Sequence, residues 1–174
     1  MAHDIETERL TLRLRDERDA DWYRRLVAER GEEPPTLEEA TARLARFRDL
    51  TIEIGIGALT ICRRADDRPI GYGALVIGRC TLDEPEIAYE LLRAFHGHGY
   101  ATEAARALVD AAAATGRRRL WSTTRPTNVA SLRVLEKLGF RRDHVTPDER
   151  GDVIYLVRDL RAGDEGEPAA NRAF

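Results

Sequence analysis

Between residues 86 and 124 the hydrophobic pattern changes its period twice within a short stretch of chain. A strand-like run over residues 86–92 enters a Gly-His-Gly turn at 97–99, and an alanine-rich helical pattern over 100–115 begins at once. A second strand-like run follows over 119–124. A helix that joins two parallel strands does so in a right-handed crossover in nearly all proteins. The chain is therefore expected to build a sheet with a parallel pair of strands and a helix on one face.

The remaining segments add further strands and helices in mixed order. Strands are predicted over residues 9–15, 58–63, 70–77, 86–92, 119–124, 140–145 and 153–160. Helices are predicted after residues 19, 36, 99 and 127. This order predicts an α+β fold, layered as in α/β proteins, with a mixed, mostly antiparallel sheet of about seven strands and about four helices.

Several helix ends carry capping signals. Asp19 is the expected N-cap of the first helix, and Thr36 with Glu39 has the spacing of a capping box for the second. Thr127 is the expected cap of the last helix. The second helix should bury an apolar stripe made of Leu37, Ala40, Leu44 and Phe47.

Length and charge limit the function classes. The 174 residues fit one domain, expected over residues 1–160, with a disordered tail over 161–174. A net charge of −3 gives no global field that would attract nucleic acid, and no apolar run is long enough to cross a membrane. Because the N-terminus lacks signal-peptide features, a cytoplasmic location is expected, with Cys62 and Cys80 as free thiols.

The Gly-His-Gly turn has the chemistry of a phosphate site. Gly97 and Gly99 allow a tight turn, and the first turn of the following helix presents unpaired N–H groups at the positive end of its dipole. A dinucleotide fold would need Gly or Ala where Thr102 stands, and an acidic residue about 20 positions further on. The Gly-Lys-Ser/Thr of a nucleoside-triphosphate loop is missing as well. A turn that binds no ligand remains the alternative.

Two segments resemble the GNAT superfamily of N-acetyltransferases. The first is the glycine turn, which resembles the loop R/Q-x-x-G-x-G/A that binds pyrophosphate, although Ala94 stands in place of Arg or Gln. The second is N-x-x-S-x-x-x-L-x-x-x-G-F over residues 128–140, which is similar to the segment beside the pantetheine arm. With Glu-Ile-Ala-Tyr-Glu-Leu at 86–91, the pattern looks like the subgroup that includes ribosomal-protein N-terminal acetyltransferases.

The resemblance implies acetyl-CoA as cosubstrate, bound without a metal. It also implies that the fourth and fifth predicted strands splay apart around the thioester, whose carbonyl is polarised by an N–H near Leu91 or Leu92. Asn128 would bind the pantetheine portion, and Ser131 would lie near the sulfur. The residues expected to bind the cofactor are Leu91, Leu92, Arg93, Gly97, His98, Gly99, Tyr100, Ala101, Thr102, Asn128 and Ser131.

The acid and the base are less well defined by the resemblance. Many relatives place a tyrosine acid where this chain has Leu135, so Ser131 is the substitute that the subgroup suggests. Some relatives place a glutamate base where this chain has Thr123. Glu86 is the first candidate for the base, while Glu149 and a water relay remain open.

The acceptor cannot be read from any motif. A protein N-terminal α-amine and a small-molecule amine both remain open, as does a homodimer. Because the usual tyrosine acid is missing and Ala94 departs from the loop pattern, a catalytically silent acyl-CoA-binding sensor or interaction module is the rival interpretation. The four histidines and two cysteines lack the spacing of a metal site.

Overall fold

The computed structural model describes residues 1–160, so the tail predicted over 161–174 lies outside the described residues. Within residues 1–160 the chain forms eight strands and four α-helices. The strands are β1 (Asp4–Glu6), β2 (Leu10–Leu14), β3 (Ala58–Arg63), β4 (Arg68–Val76), β5 (Glu86–Leu91), β6 (Arg119–Thr124), β7 (Arg141–Asp148) and β8 (Gly151–Asp159). The helices are α1 (Ala20–Glu29), α2 (Leu37–Ile54), α3 (Tyr100–Ala114) and α4 (Val129–Lys137).

All eight strands join one sheet in the order β1-β2-β3-β4-β5-β6-β8-β7. Neighbours are antiparallel except β5 and β6, which run parallel on either side of α3 in the chain. The predicted fold class and the parallel crossover are therefore confirmed. The sheet has one strand more than predicted, because β1 has three residues and is too short to show a period.

The two faces of the sheet carry different helices. A Cβ on Gly73 of β4 would contact Leu108 of α3, which places Gly73 on the face covered by α3. The preceding residue, Tyr72, lies on the opposite face, because side chains alternate along a strand. Tyr72 is paired with Glu90, whose carboxylate binds Arg30 at the end of α1. We call these two surfaces the α3 face and the α1 face.

The capping predictions are confirmed in part. Thr36 and Glu39 form the predicted capping box at the start of α2. Asp19 stands at the N-cap position of α1, but its side chain makes no capping bond there and binds other residues of the α1 face instead. The prediction for Thr127 is wrong, because Asn128 is the N-cap of α4 and accepts the N–H of Ser131 at 3.1 Å.

The predicted apolar stripe of α2 is half wrong. Ala40 and Leu44 are fully buried, in a small cluster between α1 and α2. Leu37 is 52% exposed and Phe47 is 44% exposed. The helix packs against α1 over a narrow strip, so apolar side chains at the margins of its stripe reach solvent.

Candidate active site

A wedge opens between β5 and β6. In the described part of the chain these strands share one paired position, Glu86 with Trp121, although each is paired along its length with its other neighbour. Toward their carboxyl ends, at Leu91 and Thr124, the two backbones separate. The predicted splay of these strands is therefore confirmed. The chain continues from β5 into α3 and from β6 into α4, so the N-termini of two helices flank the wedge.

The Glu86 side chain closes the narrow end of the wedge. Its Oε1 accepts hydrogen bonds from the N–H of Thr123 at 3.0 Å and from the Thr123 hydroxyl. Its Oε2 faces the connection between β4 and β5, where a Cβ on Gly78 would lie 2.5 Å away. The residue is 8% exposed and forms no ion pair with any of residues 1–160. A buried carboxylate without a cationic partner can accept a proton or bind an ammonium group.

At the open end, the two candidate oxyanion donors differ. The N–H of Leu92 donates to the carbonyl of Ile70 at 2.9 Å, so β4 already uses it. Successive N–H groups of an antiparallel strand point in opposite directions, which turns the N–H of Leu91 toward β6. Leu92 is therefore excluded as the donor in this structure, and Leu91 remains.

The glycine turn has the conformation that a phosphate cradle needs. Gly97 has φ +80° and Gly99 has φ +81°, in the left-handed region that favours glycine. Gly99 is the N-cap of α3, and because glycine has no side chain it supplies no capping oxygen. The N–H groups of the first turn, at Tyr100, Ala101 and Thr102, precede the first intrahelical bond, which Glu103 makes to the carbonyl of Gly99. They are available to an anion.

A clamp from the other end of the chain holds this turn. Arg9 donates through Nε to Glu103 Oε2 at 2.7 Å and through Nη1 to the carbonyl of His98 at 2.9 Å. Thr7 donates its hydroxyl to Glu103 Oε1 at 2.6 Å, and the backbone N–H of Arg9 binds the same oxygen. Burial opposes ionisation of Glu103, but these bonds prevail and lower its pKa. The clamp fixes both the turn and the first turn of α3, and sequence analysis gave no sign of it.

At the start of α4, Asn128 and Ser131 lie one helical turn apart. The side-chain oxygen of Asn128 serves as the cap, which leaves its amide N–H₂ as two donors for a ligand. The Ser131 hydroxyl lies 3.1 Å from the hydroxyl of Tyr89, a residue of β5. Burial raises the pKa of Tyr89 above its ordinary value, so this phenol keeps its proton at neutral pH.

Sequence analysis missed Tyr89, although a signal was present. Residues of β5 alternate between the two faces, and Tyr89 pairs with Gly73, which lies on the α3 face. The same face receives α4. A tyrosine on the α3 face of a wedge strand is therefore a candidate acid that replaces the one missing at Leu135.

On the α1 face, charged residues border the wedge. Arg30 holds the Glu90 carboxylate through Nε and Nη2, which occupies both of its oxygens. Burial raises the pKa of the neighbouring Tyr72. Arg93, expected to contact the cofactor, donates its backbone N–H to the Glu29 carboxylate at 2.8 Å. The Arg93 guanidinium also donates to the carbonyl of Glu29, so its side chain turns toward α1 and away from the glycine turn.

The rival base Glu149 lies in the exposed turn between β7 and β8. Its neighbour Asp148 binds Arg79 and Arg125, each at 2.8 Å. The N–H of Arg150, together with Arg125, lowers the pKa of Asp148 to about 2. This hairpin is therefore tied to the β4–β5 connection and to the residue that follows β6.

Residues 1–160 contain no group of His, Cys, Asp and Glu side chains arranged to hold a metal ion. Within the same residues, none of the helices combines the length and apolar character needed to cross a membrane.

Known proteins are similar to this chain in sequence and in fold. A family model described as the acetyltransferase (GNAT) domain matches residues 9–141. The Bacillus subtilis (strain 168) protein named "Probable N-acetyltransferase YjcK" is 31% identical over 127 residues, which cover 72% of this chain and 70% of that protein.

Solved structures agree. An acetyltransferase from Agrobacterium tumefaciens str. C58 is 27% identical with a TM-score of 0.72, covering 91% of this chain and 95% of that one. RimL, a ribosomal L7/L12 α-N-protein acetyltransferase in complex with coenzyme A, has a TM-score of 0.78 at 20% identity, which is a likeness of fold. That match covers 92% of this chain and 99% of RimL. The chain belongs to the GNAT family and is an acetyl-CoA-dependent N-acetyltransferase.

Proposed function

We propose that the chain transfers the acetyl group of acetyl-CoA to a primary amine, which attacks the thioester directly in the wedge between β5 and β6. The observation that carries this proposal is the arrangement of the wedge between two helix N-termini. A cofactor lying across it would meet the phosphate cradle of α3 on one side and Asn128 of α4 on the other.

The cofactor contacts follow from these two helix starts. The diphosphate accepts hydrogen bonds from N–H groups of Gly97 to Thr102, and Asn128 donates its side-chain amide to the pantetheine arm. The N–H of Leu92 binds the carbonyl of Ile70, and the N–H of Arg93 binds the carboxylate of Glu29, so neither donates to the cofactor. The backbone of these two residues borders the cradle. The Arg9 guanidinium donates to the His98 carbonyl and holds this part of the turn, so His98 contributes to the cradle through its backbone N–H.

The thioester carbonyl lies against the N–H of Leu91. A fixed donor at the developing oxyanion is worth most where water is excluded, and the neighbouring strands supply that shielding. As the amine nitrogen bonds to the carbonyl carbon, the carbon–sulfur bond breaks and coenzyme A leaves as a thiolate.

Glu86 accepts the proton that the amine loses, through a water molecule and the Thr123 hydroxyl. This proposal gains support from the contact between Glu86 and Thr123, since Thr123 stands where the resemblance places a glutamate in some members of the family. The carboxylate reaches that position from the neighbouring strand. Glu149 is less suitable, because it is exposed in the turn between β7 and β8.

The departing thiolate takes a proton from the pair formed by Ser131 and Tyr89. Serine alone is a poor acid, whereas the phenol of Tyr89 can replace a proton that Ser131 donates. This pair also weakens the case for a catalytically silent module, which rested on the absence of a tyrosine at position 135 and on Ala94 in the glycine turn.

The test is turnover of acetyl-CoA with a panel of primary amines, including peptides with free N-termini, amino acids and alkylamines. Thiol release and acetylated product should appear together for at least one class. Binding of coenzyme A by calorimetry without turnover of any amine would instead support the acyl-CoA sensor.

A further inference from the structure

Arg15 is a buried cation that the proposed mechanism does not use. It directly follows β2 and is 5% exposed. Its Nε and Nη2 atoms are fully buried and have no hydrogen-bond partner among the described residues. Burial lowers the pKa of this guanidinium from its ordinary value. An unpaired buried charge is costly, so a partner from outside the chain would relieve a real penalty.

The two unpartnered atoms, Nε and Nη2, are the pair of donors with which an arginine binds both oxygens of a carboxylate. We call this pair of donors the fork. Arg30 uses Nε and Nη2 to hold Glu90, and Arg63 uses the same pair to hold Asp66. Two parallel N–H groups match the two oxygens of a carboxylate. In Arg15 this fork has no hydrogen-bond partner among residues 1–160.

The surroundings of Arg15 supply ring faces but no spare anion. Its guanidinium carbon lies 4.7 Å from the ring of Tyr72, 5.0 Å from Trp22 and 5.3 Å from Tyr23. Ring faces stabilise a cation but cannot satisfy a directed fork of two donors. The nearby carboxylate of Asp19 already accepts bonds from three side chains, those of Arg13, Trp22 and Thr60.

The second nearby carboxylate is also committed. Glu90 is held by Arg30, whose positive charge further disfavours the charged form of Arg15. The groups that face Arg15 are therefore three aromatic rings and two ion pairs, since Arg13 pairs with Asp19 as Arg30 pairs with Glu90. Each pair is neutral, so the positive charge of Arg15 has no balancing anion among these groups.

The position of Arg15 directs it toward the wedge. Leu14 pairs with Leu59, so the backbone of residue 15 lies opposite Ala58 at the edge of the α1 face. The guanidinium nevertheless reaches Tyr72 on β4, which means that the side chain crosses β3 toward β5.

A row of alanines connects this guanidinium with the wedge. Ala58, Ala74 and Ala88 are paired side by side across β3, β4 and β5. By the two-residue period, they lie on the same face as Tyr72 and Glu90. Ala74 is buried, whereas Ala58 and Ala88 are partly exposed. Because these three side chains are methyl groups, no large side chain stands on this line between Arg15 and the wedge.

We infer that the amine acceptor is an amino acid whose carboxylate is gripped by Arg15 while its amine reaches the thioester. The inference rests on the proposed acetyl transfer in the wedge. The guanidinium lies over β4 and the wedge lies beyond β5, so roughly two strand spacings, about 10 Å, separate them. The carboxylate is placed by a rotation of the Arg15 guanidinium or of the Tyr23 ring, since the fork is covered in the unliganded protein.

The experiment compares two series of acceptors that differ only in the carboxylate. One series is the ω-amino acids from glycine to 6-aminohexanoate, and the other is the n-alkylamines of the same carbon number. The wild-type protein should show a higher kcat/KM for the acids, by about tenfold to a hundredfold, the worth of a charge-assisted pair. The preference should peak within the series, where the spacing fits.

Arg15→Met places an uncharged side chain among the three aromatic rings. It should remove the preference for the acids, so that their kcat/KM falls to that of the alkylamines. Arg46→Met, on the exposed surface of α2, is the matched control and should keep it. Equal rates for both series with the wild-type protein, or a preserved preference in Arg15→Met, would overturn the inference. A preference for peptides with free N-termini over all amino acids would overturn it as well.

Binding separates this inference from the proposed function. Calorimetry with 6-aminohexanoate and with hexylamine, in the presence of coenzyme A, measures the Arg15 site without turnover. Arg15→Lys, which keeps the charge and loses the fork, serves if Arg15→Met does not fold, and it should lose most of the preference. Carboxylate-dependent binding without acetylation would refute the proposed transfer and leave the Arg15 site standing. Equal acetylation of amines with and without a carboxylate would refute the Arg15 site and leave the proposed transfer standing.

Discussion

The two ends of α3 provide a test of the phosphate cradle with an internal control. Gly97 precedes the helix and Gly116 follows it, and both have φ +80°. A Cβ built on either glycine meets nothing within 4 Å. Replacement by alanine therefore introduces the same backbone strain at both positions and no clash in the unliganded protein.

The magnitudes follow from these two facts. A left-handed conformation costs a residue with a Cβ about 1–2 kcal/mol, and the loss of glycine's freedom in the unfolded chain returns about 0.4–1 kcal/mol. Gly97→Ala and Gly116→Ala should thus lower the free energy of unfolding by a similar amount, about 1 kcal/mol. With cofactor present, the new methyl group at residue 97 would hold the diphosphate away from the N–H groups. Loss of one charge-assisted hydrogen bond, about 1.5–3 kcal/mol, weakens binding by about tenfold to a hundredfold.

Urea unfolding without cofactor measures the first effect, and calorimetric titration with coenzyme A measures the second. Both variants should unfold at similar urea concentrations, while Gly97→Ala alone should lose affinity for coenzyme A. Equal dissociation constants for the two variants would refute the assignment of residues 97–102 as the phosphate cradle. A much larger loss of stability in Gly97→Ala would show that the turn has a structural role that the open space around it conceals.

Six further variants test the remaining assignments. Asn128→Ser and Asn128→Ala should weaken coenzyme A binding alike, but in urea unfolding only the alanine variant should lose about 1 kcal/mol of stability, because serine preserves the cap. Tyr89→Phe should lower kcat about a hundredfold at neutral pH. Since the pKa of Tyr89 is raised, the wild-type kcat should fall only above about pH 10, and an unchanged kcat in the variant would remove Tyr89 from the mechanism. Glu86→Gln should lower the rate near neutral pH and recover as the amine deprotonates itself, whereas Thr123→Val should lose less; wild-type rates at every pH would exclude Glu86 as the base. Arg9→Ala should raise KM for acetyl-CoA with kcat unchanged in steady-state kinetics, and an unchanged KM would show that the clamp does not position the cradle.

The sequence predicted the regular elements well because their signals are local. The strand over residues 58–63 and the strand over 119–124 agree with β3 and β6 to the residue. Errors arose where several residues could serve the same purpose. Thr127 and Asn128 are both good N-cap residues, and the structure uses Asn128. A three-residue strand such as β1 has no periodicity to recognise.

In the candidate site too, features set by neighbouring residues could be predicted and contacts between distant segments could not. The glycine turn and the start of α4 could be predicted, because a helix N-terminus and its cap lie within a few residues of sequence. Contacts between distant segments could not. Tyr89 and Ser131 are 42 residues apart, and Arg9 reaches Glu103 across 94 residues. The empty fork of Arg15 is further from any sequence signal, since it depends on every nearby carboxylate being already occupied.

The contact between Glu86 and Thr123 explains how this chain can lack a carboxylate on β6 and still place one there. The last shared pairing of β5 and β6 falls at Glu86, so the Glu86 side chain stands at the point where the strands begin to part. From that point it bridges to the backbone N–H and hydroxyl of Thr123 on the other side of the wedge. A side chain so placed limits how far the strands separate and keeps a carboxylate at the base of the wedge. An alignment of β6 with the same strand of relatives therefore misses the Glu86 carboxylate, whereas the three-dimensional structure shows it beside Thr123.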